Sequence, residues 1–155
     1  MIAIEKLTAQ HLEELSKVVL AKDQIQFACS AEEFLKESNQ RVHLHVIKHT
    51  SKVIGFFKLD CGYHYDYAFC PSDGLGLRSF VIDKRLQGQG LGQVTIKALL
   101  AYLKQHYSHY SWLYLTVNCK NRLAKSCYQK AGFLEEKALY LNGPAGPQHI
   151  MYMPV

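Results

Sequence analysis

Three glycines at alternate positions, Gly88, Gly90 and Gly92, mark the part of this sequence best suited to binding chemistry. Residues 77–92 read LRSFVIDKRLQGQGLG, so an apolar run typical of a strand ends at Asp83 and the glycines lead into a segment with helical spacing. Because glycine has no Cβ, backbone N–H groups of such a loop can converge on one anion, and a helix start adds partial positive charge. The stretch therefore predicts a site for phosphate groups.

Two common phosphate-binding loops do not match this spacing. A P-loop needs Gly-x-x-x-x-Gly-Lys-Ser/Thr, and no Lys-Ser or Lys-Thr pair directly follows these glycines. A dinucleotide-binding loop needs Gly-x-Gly-x-x-Gly early in a longer parallel-sheet domain, whereas this chain has Gly-x-Gly-x-Gly past its middle. Both alternatives are therefore disfavoured.

The spacing that does fit is Gln-x-x-Gly-x-Gly, formed by Gln87, Gly90 and Gly92. A second pattern, Asn-x-x-Ala-x-x-x-Tyr-x-Lys-x-Gly-Phe, occupies residues 121–133, after a predicted helix and a predicted strand. The two patterns in this order resemble the GCN5-related N-acetyltransferase (GNAT) family. The resemblance is close over residues 75–133 and holds in outline elsewhere. It implies an N-acetyltransferase that uses acetyl-CoA as co-substrate and no metal.

The resemblance assigns cofactor contacts to particular positions. The pyrophosphate of acetyl-CoA would lie on the loop backbone, at Gln87, Gly88, Gln89, Gly90, Leu91 and Gly92. The pantetheine arm would hydrogen-bond to the edge of the preceding strand, as an added strand does, at Phe80, Val81 and Ile82. The expectation for these three residues concerns their backbone, because their side chains are expected in the core in any case.

The second pattern carries the expectations about the thioester. In similar enzymes an Asn at the position of Asn121 contacts the cofactor arm, and Ala124 would keep the helix close to the cofactor. A Tyr at the position of Tyr128 lies near the sulfur, where a phenol with a pKa of ~10 can donate a proton to the leaving thiolate. Tyr128 is therefore the predicted catalytic residue, with a core aromatic as the alternative. Lys130 either reaches a phosphate or is solvated.

The acceptor that the resemblance implies is a small-molecule primary amine, which attacks the thioester directly. An alkylammonium group has a pKa of ~10.4 and must first lose a proton, yet no Glu lies in the predicted catalytic strand. Asp60, Asp66 and Asp73 precede that strand, and each is more simply explained as a turn or surface residue. The general base therefore stays unassigned.

A looser resemblance concerns the identity of the acceptor. Residues 23–27 and 32–38 look like the helical region of bacterial spermine/spermidine acetyltransferases, which favours a polyamine. Glu32, Glu33 and Glu37 are the acids that would bind it, although solvation of a helix surface explains them equally well. An aminoglycoside, an amino acid or a protein amine is the alternative acceptor. A non-catalytic acyl-CoA-binding sensor is the alternative class of protein.

Composition narrows the class further. With 155 residues, 48% of them hydrophobic and 20% charged, the chain is expected to form a single N-acetyltransferase domain over residues 1–155. The net charge of +5 comes from scattered Lys and Arg residues, which argues against a nucleic-acid partner. No apolar run approaches the ~18 residues of a membrane span, and the N-terminus does not read as a signal peptide. We therefore expect a cytoplasmic protein with no membrane partner, and a homodimer is left open.

The five cysteines and a group of three histidines do not indicate a metal or redox site. The five cysteines contain no C-x-x-C pair, which indicates neither a disulfide framework nor a zinc site. Cys127 is expected to be a small buried side chain on an apolar helix face rather than a catalytic thiol. His43, His45 and His49 alternate on a predicted strand without a neighbouring acid or cysteine, so a solvated strand face is expected rather than a metal site.

The elements that position these residues predict an α/β (α+β) fold with a mixed sheet flanked by helices. The order is β-α-α-β-β-β-α-β-α-β-β, which is also that of GNAT enzymes. Thr8 and Ser30 are the predicted N-caps of the two early helices, and Gly132 is the predicted C-terminal glycine of the last one. The longest helix is predicted over residues 90–107, with an apolar stripe of Leu91, Val94, Thr95, Ala98, Tyr102 and Leu103.

An aromatic segment precedes the glycine loop. Tyr63, Tyr65, Tyr67 and Phe69 alternate, which would place four rings on one face of a strand. Two interpretations remain open, namely packing of the rings on the core and an aromatic wall of the acceptor pocket.

Overall fold

The computed structural model describes residues 1–27 and 29–155, which contain a mixed seven-stranded sheet. The strands are β1 (Ile2–Lys6), β2 (Val42–His49), β3 (Lys52–Asp60), β4 (Gly74–Ile82), β5 (Trp112–Asn118), β6 (Leu134–Tyr140) and β7 (Gln148–Pro154). The helices are α1 (Leu12–Ser16), α2 (Lys22–Phe27), α3 (Ala31–Leu35), α4 (Tyr63–Asp66), α5 (Leu91–His106) and α6 (Arg122–Lys130). Short 3-10 turns lie at Ala9–His11 and Lys84–Leu86. The predicted fold class is confirmed, although the early region forms three short helices rather than two.

One face of the sheet is covered by α5 and α6. Ile96, Leu99 and Leu103 of α5 are almost fully buried against it. Burial of each such side chain contributes about 1.5–3 kcal/mol. The buried face of α5 differs from the predicted apolar stripe. Val94 was predicted to be buried but is 51% exposed, and Ile96 is buried in the core instead.

The opposite face is covered by α1 and α3. Leu15 and Phe34 pack there on Phe56 and Val81, and the rings of Phe34 and Phe56 have centroids 4.3 Å apart. Ser30 caps α3 as predicted, since its hydroxyl accepts the N–H of Glu33 at 3.2 Å. This cap satisfies one of the free N–H groups of a helix too short to be stable alone.

The central feature of the sheet is the separation of β4 from β5. The order is β1-β2-β3-β4-β5-β7-β6, and β4 and β5 form the one parallel pair among the strands that the structure describes. Their pairing covers only residues 74–76 of β4 and 112–114 of β5. β4 continues to Ile82 along β3, while β5 continues to Asn118 along β7, so a wedge-shaped gap opens between them.

A bulge in β4 lies beside this gap. The register with β3 shifts between Phe56 and Lys58, and neither Ser79 nor Phe80 has a paired residue there. Ser79 has a φ of 53°, a left-handed conformation that is uncommon outside glycine. Because of the extra residue, Leu77 and Phe80 both pack on the α5 side although they are three residues apart.

The aromatic segment is not the strand that its alternation suggested. Residues 63–66 form α4, and the ring of Tyr63 stacks on Tyr67 one turn later with centroids 4.2 Å apart. Tyr65 points outward and is 74% exposed. Residues four apart lie on one face of both a strand and a helix. Here the chain turns at Gly62, whose N–H donates to Asp60 Oδ1 at 2.9 Å, and α4 begins at the next residue.

The expected solvated histidine face is wrong for His45, whereas His43 and His49 are partly exposed. His45 is fully buried, with Nε2 at 2.9 Å from the Tyr102 hydroxyl, and His43 Nδ1 lies 2.7 Å from the Tyr107 hydroxyl. The end of α5 covers this part of β2. Burial lowers the pKa of His45 to about 4.

Candidate active site

A cleft of about 660 Å³ occupies the gap between β4 and β5. Leu91 and Tyr128 line it from the side of α5 and α6, and Tyr67 and Arg78 line it from the opposite side. Asp23 lines it near the end of β4, where its neighbour Gln24 contacts Ile82. The cleft therefore passes through the sheet. Two molecules can reach its centre from opposite faces.

The edge of β4 presents a backbone carbonyl to this cleft. The N–H of Asp83 donates to Ile54 of β3 at 2.7 Å, so the carbonyl of the preceding residue, Ile82, points away from β3. It accepts the side-chain amides of Gln24 at 2.9 Å and Gln87 at 3.1 Å. These two amides hold the position that an amide of an extended ligand would take.

The three predicted positions on this strand differ in their side chains. Phe80 and Ile82 line the cleft, whereas Val81 is fully buried on the side of α1 and α3. The expectation for Val81 concerned its backbone only.

The glycine loop leads directly into the first turn of α5. Gly90 is the N-cap with a φ of 75°, and Gly88 has a φ of 81°. A Cβ added at either position would meet no described atom within 4 Å, so the space in front of the loop is open to a ligand. The first N–H groups of α5 have no intrahelical acceptor and favour an anion. The loop residues that line the cleft are Gln87, Gly88, Gly90, Leu91 and Gly92, while Gln89 points into solvent.

Gly92 has a different role from the other two glycines. A Cβ at this position would lie 2.6 Å from the Sγ of Cys127 on α6, which is closer than real contacts allow. The missing side chain lets α5 begin against α6. Burial raises the pKa of the Cys127 thiol, in agreement with a packing residue rather than a nucleophile.

The residues of the second pattern lie at the start of α6 and along it. Asn121 is its N-cap, and its Oδ1 accepts the N–H of Ala124 at 3.3 Å, which leaves the Nδ2 group for other partners. Asn121, Ala124, Tyr128 and Lys130 all line the cleft. Gly132 ends the helix with a φ of 107°, and the N–H of Phe133 donates to the carbonyl of Tyr128 at 3.0 Å. This C-terminal arrangement confirms the predicted glycine.

Tyr128 is both a core residue and a cleft residue. It is 9% exposed, and its ring packs between Phe80 and Phe133 with centroid distances of 6.1 and 5.4 Å. Burial raises the pKa of its phenol, so the hydroxyl stays protonated over the physiological range. Within the described residues, no group is hydrogen-bonded to this hydroxyl, which leaves it available to a ligand.

On the opposite side of the sheet, Arg78 is held by two carboxylates. Its Nη2 lies 2.8 Å from Glu37 and its Nη1 lies 3.2 Å from Asp60. Glu37 also pairs with the buried Lys58, and Asp60 lies 3.7 Å from Arg41. This network was not predicted from the sequence, although a charged residue inside the apolar run of β4 was a signal for it.

The acids considered from the sequence lie away from the cleft. Asp60 is buried and paired, Asp66 pairs with Arg41 at 2.8 Å, and Asp73 is exposed at the start of β4, so none of them lines the cleft. Glu32, Glu33 and Glu37 do not line it either. Over residues 1–27 and 29–155, the acid that lines the cleft is Asp23 on α2, which was not predicted as a base.

Two further observations concern metals and membranes. Over residues 1–27 and 29–155, no three His, Cys, Asp or Glu side chains come together as a metal site would require. In the same part of the chain, no helix has the length and apolar character needed to cross a membrane.

Comparison with known families agrees with the geometry. The sequence profile of the Acetyltransferase (GNAT) family matches residues 6–133. The chain belongs to this family. The prediction of an N-acetyltransferase is thereby confirmed at the level of the GNAT family. No curated protein matches the chain by sequence.

Solved GNAT structures share the fold at low identity. Aminoglycoside acetyltransferase AAC(6')-Ib in complex with coenzyme A and kanamycin aligns with a TM-score of 0.80 at 16% identity, covering 99% of this chain and 95% of that chain. Spermidine N-acetyltransferase from Vibrio cholerae, in complex with CoA and spermine, has a TM-score of 0.73 at 19% identity, covering 99% and 95%. The ribosomal-protein-S18-alanine N-acetyltransferase from Escherichia coli has a TM-score of 0.66 at 20% identity, covering 100% and 94%. At these identities the likeness establishes the fold alone.

Proposed function

We propose that this GNAT protein transfers the acetyl group of acetyl-CoA to a primary amine by direct attack of the amine on the thioester. The observation that carries the proposal is the cleft that crosses the sheet between β4 and β5. Its α5 side offers an anion site at the glycine loop, and its other side offers a separate route for the amine.

The cofactor would occupy the α5 side of this cleft. The pyrophosphate would lie on the N–H groups of the loop from Gln87 to Gly92, where the start of α5 favours negative charge. The pantetheine arm would extend along β4 and bond to the backbone from Phe80 to Ile82, displacing the amide of Gln24 from the Ile82 carbonyl. Asn121, Ala124 and Lys130 line the same side and would contact the cofactor arm or its phosphates.

The chemistry needs a neutral amine and a stabilised leaving group. The amine would lose its proton to Asp23 directly or through water, because Asp23 is the acid among the described residues that line the cleft. The amine nitrogen then forms a bond to the acetyl carbon, and the bond from that carbon to sulfur breaks. The nitrogen loses its second proton as the amide forms, and the departing thiolate takes up one proton through solvent to become the free thiol. The backbone at the Ser79 bulge has no paired residue on β3 and lies beside the gap. Its N–H groups are candidates to donate a hydrogen bond to the carbonyl oxygen of the thioester.

Tyr128 would act on the departing sulfur. The ordinary pKa of a thiol is ~8.5, which is lower than that of the buried Tyr128 phenol. Transfer of the phenol proton to the thiolate is therefore unfavourable. Its contribution is therefore a hydrogen bond that strengthens as charge develops on sulfur, which is an interaction made mainly in the transition state.

The acceptor favoured by the sequence, a polyamine, loses part of its support. Glu32, Glu33 and Glu37 do not line the cleft, and Glu37 is ion-paired with Lys58 and Arg78. The support for a polyamine acceptor is now the N-terminal resemblance and the shared fold with a spermidine N-acetyltransferase. An acyl-CoA sensor without turnover remains the second class to exclude.

The proposal is tested by measuring release of free thiol from acetyl-CoA in the presence of an amine panel, with mass spectrometry of the products. Amine-dependent thiol release with an acetylated product is expected. Tight binding of CoA without turnover of any amine would instead favour a sensor. Comparison of CoA with ATP and NAD in the same binding assay checks that the loop selects the expected cofactor.

A further inference from the structure

The charged side chains that line the cleft do not favour binding of a polycation. The charged side chains that line the whole cleft, within the described residues, are Asp23, Arg78 and Lys130. Lys130 belongs to α6 on the cofactor side. The amine would therefore meet one carboxylate and one guanidinium.

The guanidinium of Arg78 is fixed in place. Burial by itself would lower the pKa of Arg78, but Glu37 and Asp60 outweigh it and raise the pKa, so the charge is permanent. Two of its five N–H groups are used by these carboxylates, and its side chain remains 31% exposed. Glu37 and Asp60 do not line the cleft, so the group that faces the acceptor is the guanidinium with its free N–H donors, which offer an ammonium group no acceptor.

The wall next to Arg78 is flat and aromatic. Tyr63 is 1% exposed and supports the ring of Tyr67, which is half-buried and lines the cleft. Tyr140 meets the Tyr67 ring edge-on with a centroid distance of 5.2 Å and fixes its orientation. Such a surface favours a planar apolar group, which stacks or packs edge-on against it.

We infer that the acceptor is a small amine with a single positive charge and an aromatic body, and that Arg78 excludes polycations. This inference rests on the proposed acetyltransferase function. The ammonium group approaches Asp23 and the ring packs on Tyr67, whereas a second ammonium group would be forced toward the guanidinium. Repulsion of like charges in a partly buried site is a common means of rejecting a competing ligand.

The chain offers a matched pair of variants. Arg78→Gln removes the cation that faces the cleft, and Arg41→Gln removes a cation that lies 3.7 Å from the same Asp60 but does not line the cleft. The wild-type kcat/KM for 2-phenylethylamine should exceed that for spermidine and kanamycin by about tenfold or more. Arg78→Gln should shift this ratio toward spermidine by about tenfold, and Arg41→Gln should leave it unchanged.

Thermal unfolding and acetyl-CoA binding are measured on each variant, so that loss of fold is separated from a change of specificity. If Arg78→Gln does not fold, the inference is tested by the wild type and by Arg78→Lys, which keeps the positive charge. Both should prefer 2-phenylethylamine to spermidine by the same ratio of kcat/KM. A wild-type preference for spermidine or kanamycin would overturn it while supporting the acetyltransferase function. An equal shift in both glutamine variants would also overturn it. Failure of every amine despite acetyl-CoA binding would count against the proposed function itself.

Discussion

Replacing Gly92 with alanine should destabilise the protein through a single contact between α5 and α6. The added Cβ would lie 2.6 Å from the Sγ of Cys127, so either the thiol or a helix must move. Overpacking of this kind typically costs about 1–3 kcal/mol, and alanine regains up to about 1 kcal/mol of helix propensity over glycine. The expected net loss of about 1–2 kcal/mol corresponds to a fall in Tm of roughly 2–8 °C for a protein of this size.

The assay is thermal and urea unfolding of the wild type, Gly92→Ala, Cys127→Ala and the double variant. Because Cys127→Ala removes the obstructing sulfur, the alanine at position 92 should cost nothing in that background. Gly88→Ala is the matched control, since its φ of 81° imposes strain of about 1–2 kcal/mol with no atom within 4 Å. That loss should persist when Cys127 is changed. An equal cost of Gly92→Ala in both backgrounds would refute the assignment of the contact.

Three further outcomes test the loop, the phenol and a buried histidine. Gly90→Val should abolish most acetyl-CoA affinity in calorimetry while the protein stays folded, and an unchanged affinity would remove the cofactor from this loop. Tyr128→Phe should lower kcat by about 10²–10³-fold with little change in KM for acetyl-CoA, because it removes one hydrogen bond to the departing sulfur, whereas a wild-type kcat would leave Tyr128 as a packing residue. Stability should fall by up to about 3 kcal/mol between pH 6.5 and pH 4, because the unfolded chain protonates His45 near pH 6.5 and the folded chain only near 4. His45→Gln should flatten this dependence in urea titrations, and an identical slope in both proteins would contradict it.

The sequence was sufficient to predict several features that depend on interactions between residues close together in the chain. A glycine loop with positive φ at Gly88 and Gly90, the Ser30 cap and the Gly132 terminus each depend on residues within one or two turns. The seven strands and the two long helices followed from the period of their apolar residues, although the alternation of aromatic residues 63–69 wrongly indicated a strand where α4 forms. The two GNAT patterns were therefore placed correctly on β4, α5 and α6 before any distance was known.

Only the tertiary structure decided which of these residues share a cleft and what faces them. The separation of β4 from β5 depends on pairing with β3 and β7, and a strand sequence does not reveal its partners. His45 is buried because α5 crosses a strand more than fifty residues earlier in the chain. Arg78 is held by Glu37 and Asp60, which come from separate elements. Contacts of this kind arise when distant segments pack on one sheet, so the acceptor side could not be deduced from spacing along the chain.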